Sequence, residues 1–338
     1  MGKIVEKLKI ENFKSIKHLE INCGRINLFI GEPNTGKSNI LETFGLLSFV
    51  GSKYNLKPFV RFETLDEIFY DRNLEESVKI EIDFSNRDVG ILKIDYKDTR
   101  FLCKLTHIQA THNSKQASDY TIFNYDFSGA GTKSVYSQFS IFKFYRFKSM
   151  SKFTAPESDY LLPPHAENLF SVLLRSKELR RLINSILNEF GLKLAFNRVE
   201  KRIDVLKLYE DIIVIFPYTS ISETIQRVIF YLAAIKSNKH SVIVFEEPEV
   251  HTFPFYTKYL AERIATDENN QYFISTHNPY LLNSIVEKAK DVKVFLTYMD
   301  NYKTKVKELS RKELEELLEL DLDVFFNIDG FLKEISKT

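Results

Sequence analysis

The feature that most constrains the fold is a glycine-bearing loop near the amino terminus, with the sequence GEPNTGKS at residues 31–38. An apolar run at residues 26–30 precedes the loop, and a helical pattern follows it at residues 38–50. A strand that turns into a helix through the spacing G-x-x-x-x-G-K, followed by serine or threonine, is typical of phosphate-binding loops in α/β proteins. The sequence therefore predicts an α/β fold that binds a nucleotide at this loop.

The residue types of the loop fit the chemistry of phosphate binding. Glycines let the backbone curl so that successive N–H groups and the following helix N-terminus face an anion. Lys37 is expected to reach the β- and γ-phosphates, and the Ser38 hydroxyl is expected to ligate Mg²⁺. The predicted nucleotide-binding residues of the loop are Gly31, Asn34, Thr35, Gly36, Lys37 and Ser38.

Two acids, Glu246 and Glu247, end an apolar run at residues 242–245. The carboxyl ends of parallel strands form the edge at which α/β sheets bind ligands. At that edge Glu246 would hold Mg²⁺ through water, and Glu247 would orient and deprotonate the attacking water. A solvated acidic turn is the alternative, and the presence of the phosphate loop favours the catalytic interpretation.

A histidine, His277, follows another apolar run at residues 273–274 and precedes a predicted helix start. At the end of a strand this side chain would hydrogen-bond the γ-phosphate and so report its presence. The alternative is a capping or loop residue. The other two motifs favour the sensor role.

Strand and helix patterns alternate from residue 211 onward, beginning with a predicted strand at 212–216. Such alternation indicates a parallel sheet covered by helices on both faces. Residues 1–50 and 211–338 are therefore predicted to form one discontinuous domain.

Residues 51–210 have a different character and are predicted to form an inserted lobe. Apolar residues alternate in short runs separated by polar segments such as 111–118, which indicates antiparallel hairpins followed by two helices. The predicted strands of the lobe lie at 78–84, 91–96, 101–108, 121–127 and 139–147.

The charge balance and the cysteine content indicate the cellular compartment in which the protein is expected. Lys and Arg number 47 against 46 Asp and Glu, so no global field draws the chain to nucleic acid or to an anionic membrane. Cys23 and Cys103 match no zinc or redox spacing, which suits a reducing compartment. Neither a signal-peptide core nor a run of eighteen apolar residues occurs. We expect a soluble, cytoplasmic protein without a membrane partner.

The order of the motifs resembles that of the ATP-binding-cassette (ABC) ATPase heads of the SMC and RecF class. Within that class, EEPEVH at residues 246–251 with Pro254, and IENFKSI at residues 10–16, resemble the ATPase part of the overcoming-lysogenization-defect (OLD) family and its stand-alone relatives. The resemblance implies an ABC-type P-loop fold, with a mainly parallel sheet flanked by helices, that hydrolyses ATP with Mg²⁺. It also implies head-to-head homodimers in the ATP state and a role in DNA repair, maintenance or phage defence.

The resemblance further implies a signature segment that contacts the γ-phosphate bound by the opposite subunit. The matching residues are Ser222, Glu223 and Thr224, with Ser222 as the hydroxyl donor in trans. Ser222 also fits a helix N-cap, and the two roles are compatible because capping exposes the helix N-terminus to an anion. Thr224 stands where the family usually has glycine. Lys14 and Asn39 complete the implied nucleotide-binding set.

The chain departs from the class in three respects. Glu246 replaces the usual aspartate, which lengthens the reach to Mg²⁺ by one methylene. About forty residues follow the last predicted strand, which leaves no room for the TOPRIM nuclease domain of full-length OLD proteins, so we do not expect nuclease activity. No heptad run is present, which excludes the long coiled coil of SMC proteins.

Residues 142–148 interleave aromatic and basic side chains, which suits DNA binding through the inserted lobe. An amphipathic strand whose rings face the core is the favoured alternative. Two functions therefore remain open. One is an ATPase whose hydrolysis drives dimerisation and opening, and the other is a nucleotide-dependent regulatory subunit that acts through a separate effector protein with little turnover.

Overall fold

The computed structural model describes residues 4–111 and 114–319. Its strands are β1 (Val5–Phe13), β2 (Ile16–Asn22), β3 (Ile26–Ile30), β4 (Val78–Phe84), β5 (Val89–Lys97), β6 (Arg100–Ala110), β7 (Lys115–Tyr125), β8 (Gly131–Lys133), β9 (Phe142–Tyr145), β10 (Leu192–Asn197), β11 (Arg202–Tyr209), β12 (Ile212–Pro217), β13 (Val242–Glu246), β14 (Gln271–Ser275), β15 (Val292–Asp300) and β16 (Lys303–Glu308). Its helices are α1 (Lys37–Val50), α2 (Leu169–Arg175), α3 (Lys177–Asn188), α4 (Glu223–Ser237), α5 (Pro254–Thr266), α6 (Pro279–Lys288) and α7 (Arg311–Glu319).

A six-stranded sheet in the order β16-β15-β3-β14-β13-β9 forms the centre of the fold. All neighbours from β15 to β9 run parallel, and only β16 is antiparallel. Every residue of β3 and β14 is buried, as expected for parallel strands that are covered on both faces. The predicted α/β fold with a mainly parallel sheet is confirmed.

A seven-stranded antiparallel sheet in the order β2-β1-β4-β5-β6-β7-β8 lies beside it. The hairpins predicted between residues 78 and 125 are present here. The strands β1 and β2 also belong to this sheet, because β1 pairs with β4 along most of its length. The polar segment expected at 111–118 is shorter than predicted, since residues 115–118 begin β7.

Two strands pair in a different sheet from the one that the sequence predicts. The strand within 139–147 was expected in an antiparallel hairpin, but β9 pairs in parallel with β13 at the edge of the central sheet. The strand at 212–216 was expected to begin the parallel series, but β12 pairs with β11 in a separate antiparallel sheet, β10-β11-β12. Short apolar runs look alike in sequence, so their partners are decided only by packing.

Sheet pairing crosses both expected domain boundaries, at residues 50/51 and 210/211. The division into a domain of 1–50 with 211–338 and a lobe of 51–210 stays a prediction, and residues 320–338 of it lie outside the described residues. The sequence patterns also missed β10, β11 and the hairpin that β16 forms with β15.

Helix α1 is buried on nearly all sides because it lies between the two large sheets. Its Phe44 ring is 4.0 Å from the Phe273 ring of β14, measured between centroids, and its Phe49 contacts Phe123 of β7. The opposite face of the parallel sheet is covered by α4, α5 and α6. This packing fixes the start of α1, where the phosphate loop ends.

We predict that Phe44→Ala lowers the free energy of unfolding by about 3–5 kcal/mol, because it leaves a cavity between two sheets that cannot close around it. Phe253→Ala is the matched control, since Phe253 is 67% exposed and its truncation leaves no cavity. Chemical denaturation of both variants measures the difference. Equal losses in the two variants would contradict this description of the core.

Candidate nucleotide-binding site

The phosphate loop connects β3 to α1 and adopts a backbone that requires glycine at two positions. Gly31 and Gly36 have φ angles of 145° and 95°, and Asn34 also has a positive φ of 63°. A Cβ on Gly31 would overlap the backbone carbonyl of Thr297 in β15, and a Cβ on Gly36 would overlap the side chain of Thr304 in β16. The β15-β16 hairpin therefore forms a wall against which only a glycine loop fits.

Protein hydrogen bonds hold the loop in this shape. The Thr35 hydroxyl donates to the carbonyl of Glu32 at 2.8 Å and lies 2.9 Å from the hydroxyl of Thr297. Gly36 is the N-cap of α1 and has no side chain to accept from the first-turn N–H groups. An anion at this helix start would satisfy those groups and interact favourably with the helix dipole.

Lys37 points its ammonium group into the curl of the loop. Its Nζ donates to the carbonyl oxygens of Gly31 at 2.8 Å and Glu32 at 2.6 Å, and the side chain is only 4% exposed. Burial lowers the pKa of Lys37 to about 8, while Glu247 and Glu32 act in the opposite direction. A buried cation held only by neutral carbonyls fits an anionic ligand, because phosphate oxygens would give it the charge partner that these carbonyls lack.

The other predicted residues near the loop differ in their surroundings. Ser38 is half-buried at the same helix start. The Asn39 side-chain amide donates to the hydroxyl of Ser15 at 2.7 Å. The Lys14 ammonium group contacts the carboxylate of Glu42 and donates to the carbonyl of Arg61 at 2.8 Å. Protein groups thus already hold Asn39 and Lys14, and their contact with nucleotide stays a prediction.

The fold brings Glu247 and His277 together at the carboxyl edge of the central sheet. Glu246 pairs with Ser275 across β13 and β14, so the residues that follow each strand lie side by side. His277 Nε2 is 3.1 Å from Glu247 Oε1. This hydrogen bond lowers the pKa of the Glu247 carboxyl, and the charges of His277, Lys37 and Arg61 lower it further. Glu247 is therefore an ionised carboxylate at neutral pH, close to the phosphate loop.

Two arginines that the sequence analysis did not assign to the site hold Glu246. Its carboxylate oxygens lie 3.1 Å from Arg61 Nη2 and 3.2 Å from Arg146 Nη2. The same arginines contact Glu42, a fully buried acid of α1, with Arg61 Nε at 2.6 Å and Arg146 Nη2 at 3.5 Å. The one signal in the sequence was Glu42 itself, an acid among the apolar residues in the middle of α1, because a buried charge requires partners.

The aromatic and basic stretch at 142–148 is largely used inside the fold. All four residues of β9 are buried, and Lys143 lies with its Nζ 3.3 Å from the ring centroid of Tyr160. Burial lowers the pKa of Lys143 to about 7, and Arg146 is taken up by the ion pairs described above. The rings of Phe142, Phe144 and Tyr145 face the core, as the favoured interpretation predicts, and they are not available to stack on nucleic acid. The strand is not amphipathic, however, because both of its faces are buried.

Glu249 is a further residue that the sequence analysis left without a role. Its Oε1 accepts hydrogen bonds from the Thr276 hydroxyl at 2.6 Å and from the His277 backbone N–H at 3.0 Å. Its Oε2 is buried and has no partner among the described residues. Burial raises the pKa of Glu249 to about 7. The carboxyl thus ties the loop after β13 to the loop after β14 and determines where His277 lies.

The predicted signature residues lie at the start of α4. Ser222 is the N-cap, and its hydroxyl accepts from the backbone N–H three residues later. Glu223 pairs with Arg227 at 2.8 Å, and the Thr224 hydroxyl donates to the carbonyl of His251 at 2.7 Å. The capping role of Ser222 is confirmed, and its contact with an opposite subunit stays a prediction.

Within residues 4–111 and 114–319, no group of three Cys, His, Asp or Glu side chains is arranged to hold a metal ion. Mg²⁺ usually takes one or two protein ligands together with substrate phosphates and waters. Ser38 and Glu246 are the candidate ligands. No helix in the same ranges is long and apolar enough to cross a membrane.

Fold and site together define an α/β protein with a phosphate-binding loop between β3 and α1. Residues 26–283 match the family described as "AAA domain, putative AbiEii toxin, Type IV TA system". The match covers more than half of the chain, and the chain belongs to this family.

The following individual proteins share 24% sequence identity or less with this chain. The "Uncharacterized protein MJECL10" of Methanocaldococcus jannaschii is 24% identical over 174 residues, which cover 46% of this chain and 78% of that protein. The crystal structure of a Pyrococcus furiosus Smc head domain bound to the C-terminal domain of ScpA superposes with a TM-score of 0.55 at 14% identity, covering 94% of this chain and 99% of that one. Another Smc head, bound to the C-winged helix domain of ScpA, gives a TM-score of 0.52 at 15% identity and covers 91% and 99%. These structures share the fold.

We predict that Glu249 makes stability fall as the pH rises. The unfolded carboxyl ionises near 4.5 and the folded one near 7, so unfolding releases a proton between these values. The free energy of unfolding of the wild type, relative to Glu249→Gln, should drop by about 3 kcal/mol between pH 4.5 and pH 7. Denaturation at a series of pH values measures it, with the exposed Glu268→Gln as control. The prediction would be contradicted if the free energy of unfolding of Glu249→Gln changed with pH in the same way as that of the wild type.

Proposed function

We propose that the protein binds ATP with Mg²⁺ and hydrolyses it, and that ATP brings two chains together head to head. The observation that carries this proposal is the convergence of an ionised carboxylate, Glu247, and a histidine, His277, beside the buried ammonium group of Lys37. The ATPase fold of the family supports it. The resemblance of the motifs at 10–16 and 246–251 to those of the OLD ATPases is the basis for proposing a DNA-related role in the cytoplasm.

Phosphate binding exchanges partners around Lys37. Its ammonium group now donates to the carbonyls of Gly31 and Glu32 and would turn to the β- and γ-phosphate oxygens. The first-turn N–H groups of α1 would donate to the same anion, since Gly36 offers them no side-chain acceptor. The wall formed by Thr297 and Thr304 keeps the loop in this shape before ATP arrives, so little ordering cost remains.

Mg²⁺ would be held by the Ser38 hydroxyl and by Glu246 through water, and it would neutralise charge on the phosphates. For this to happen, Glu246 must share or release the guanidinium groups of Arg61 and Arg146. The two arginines would keep their ion pairs with Glu42 while the carboxylate of Glu246 changes partner.

Hydrolysis needs a base that is ionised and aimed at water. The lowered pKa of Glu247 keeps it ionised, and the hydrogen bond from His277 fixes one carboxylate oxygen and leaves the other for water. His277 would also donate to the γ-phosphate, so loss of that phosphate changes the partners of both residues. Glu249 supports this arrangement by holding the His277 backbone.

The nucleotide-free arrangement also favours a second function, that of a regulatory subunit with little turnover. The predicted metal carboxylate, Glu246, lies in two ion pairs, and a switch between these and Mg²⁺ would alter the segments that carry Arg61 and Arg146. In that case the output is the conformational change, read by a separate effector protein.

We predict that Lys37→Ala reduces ATP affinity at least about a hundredfold, because a charge-assisted contact to two phosphates is lost. Lys133→Ala is the matched control, because Lys133 is a half-buried lysine that also donates to two backbone carbonyls, those of Ser52 and Tyr54, and it lies outside the phosphate loop. Fluorescent-nucleotide binding measures both affinities. An affinity for Lys37→Ala within a few-fold of wild type would refute the assignment.

We predict that Glu247→Gln still binds ATP but turns over at least about a hundredfold more slowly, because a positioned base is lost. Steady-state phosphate release measures the rate, with Glu246→Gln as the comparison. If only Glu246→Gln abolished turnover, the roles of the two acids would be reversed.

The trapped Glu247→Gln form also tests the head-to-head dimer and the regulatory alternative. It should sediment as a larger species with ATP than with ADP, because ATP is then not consumed. Identical sedimentation of Glu247→Gln with ATP and with ADP would refute ATP-driven closure. A wild type that binds ATP tightly and lacks measurable turnover would favour the regulatory subunit.

A further inference from the structure

The hairpin of β11 and β12 exposes an unusual amount of apolar surface. All five of the large residues from Ile212 to Phe216 are exposed, by 36–63%, and Leu208 and Tyr209 of β11 are exposed by 66% and 61%. The base of the same hairpin is different, since Ile203 and Val205 are fully buried. We call residues 206–216, which project beyond the buried base, the apolar arm.

Both faces and one edge of β12 lie open. Successive side chains of a strand point to opposite faces, and every residue of β12 is exposed. In the order β10-β11-β12, β12 is the outer strand and pairs only with β11 among the described residues. Its outer N–H and C=O groups therefore form an unpaired edge, which readily adds another strand.

Such a strand is costly to leave in water. Natural edge strands usually carry charged side chains, proline or bulges that block pairing, whereas residues 212–216 contain no charged residue. Contiguous exposed apolar patches of this size mark interaction sites on proteins that are otherwise soluble. The apolar arm therefore has the properties of a contact surface.

We propose that the apolar arm joins two copies of this chain, with β12 pairing antiparallel to β12 of the second copy in the absence of nucleotide. A two-fold axis at Val214 places Ile213 opposite Ile215 and Ile212 opposite Phe216. Pro217 then falls outside the ladder, as it must, because proline has no N–H to donate. The two three-stranded sheets become one continuous six-stranded sheet.

Three observations favour a second copy as the occupant. The pairing strand must be apolar on both faces and uncharged, and β12 itself meets that requirement, with β-branched residues at 212–215 that suit cross-strand pairs. Self-pairing places no like charges opposite each other within 212–216. The five large exposed side chains of β12 add apolar burial beside the new edge to the backbone pairing.

The apolar arm also adjoins the predicted signature segment. A cavity of about 440 Å³ lies between the arm and the start of α4, and Phe216, Ser222 and Ile225 line it. A dimer held through the arm would keep both α4 helix starts near the interface. The contact goes beyond the proposed function, because it requires neither ATP binding nor the residues of the phosphate loop.

Sedimentation velocity of the full chain without nucleotide, over a wide concentration range, tests the proposal. The wild type should be dimeric, and Ile213→Lys combined with Ile215→Lys should be monomeric, because four ammonium groups would then face each other across the axis. Both residues are mostly exposed, so the fold should survive. The matched control is Val199→Lys with Tyr302→Lys, two exposed residues outside the arm, which should leave the dimer intact.

Cysteine cross-linking tests the register. In a Cys23→Ser background, with Cys103 buried, Val214→Cys should form a disulfide between chains on mild oxidation, since the two Cα atoms are directly opposite. Leu208→Cys should not, because its strand is separated from that of the second copy by three strand spacings, about 14 Å.

A monomeric wild type would overturn the proposal, as would a dimer that persists in the double lysine variant or that cross-links through Leu208→Cys but not Val214→Cys. A dimer that forms only with ATP in Glu247→Gln would support head-to-head closure and refute the arm contact. A nucleotide-free dimer would support the arm contact, and closure within that dimer would then appear as faster sedimentation of Glu247→Gln with ATP than with ADP.

Discussion

The buried carboxylate of Glu42 is the interaction on which much of the site depends. It lies in α1 between two sheets and is inaccessible to water, so its charge is stable only with partners close by. Lys14, Arg61 and Arg146 supply them, from the β1-β2 turn, the segment after α1 and the end of β9. One buried charge thus joins the antiparallel sheet, the helix of the phosphate loop and the edge strand of the parallel sheet. Because Arg61 and Arg146 also reach Glu246, this network ends in the site itself.

The site is built from strand ends that a parallel sheet must bring together. Lys37 follows β3, Glu246 and Glu247 follow the apolar part of β13, and His277 follows β14. Each is a charged or polar group that is at least partly buried, and each already has a protein partner. The partners differ in kind: backbone carbonyls for Lys37, arginines for Glu246 and His277 for Glu247. Binding of an anion and a cation would therefore exchange existing contacts and leave few groups unpaired at any stage.

The proposed contact through the apolar arm and the proposed closure at the nucleotide site involve different surfaces. The first relies on apolar area and unpaired backbone groups, which do not change with nucleotide. The closure relies on the charge of the bound phosphates, which differs between the ATP, ADP and nucleotide-free states. A pair of chains held permanently through β12 would meet head to head at a high effective concentration, so closure would need less binding energy from ATP. The cavity beside Ser222 is where the two surfaces adjoin.

The sequence by itself determined where the candidate site residues lie in the fold. The GEPNTGKS loop, the acids at 246 and 247 and the histidine at 277 each follow an apolar run. The order of residues along the chain is therefore enough to place them at strand ends. It also determined the parallel core and most antiparallel hairpins, because these follow from periodicity and turn residues within a few neighbours.

Only the tertiary structure decided which strands share a sheet and which charges meet. The run at 142–145 contains a lysine and is nevertheless buried beside β13, whereas the wholly apolar run at 212–216 lies exposed at an edge. Arg61 and Arg146 meet Glu246 from sequence separations of 185 and 100 residues, and Thr304 reaches the loop from the far end of the chain. Such contacts depend on how layers stack and not on local propensity, and nothing in the neighbouring residues of either partner encodes them.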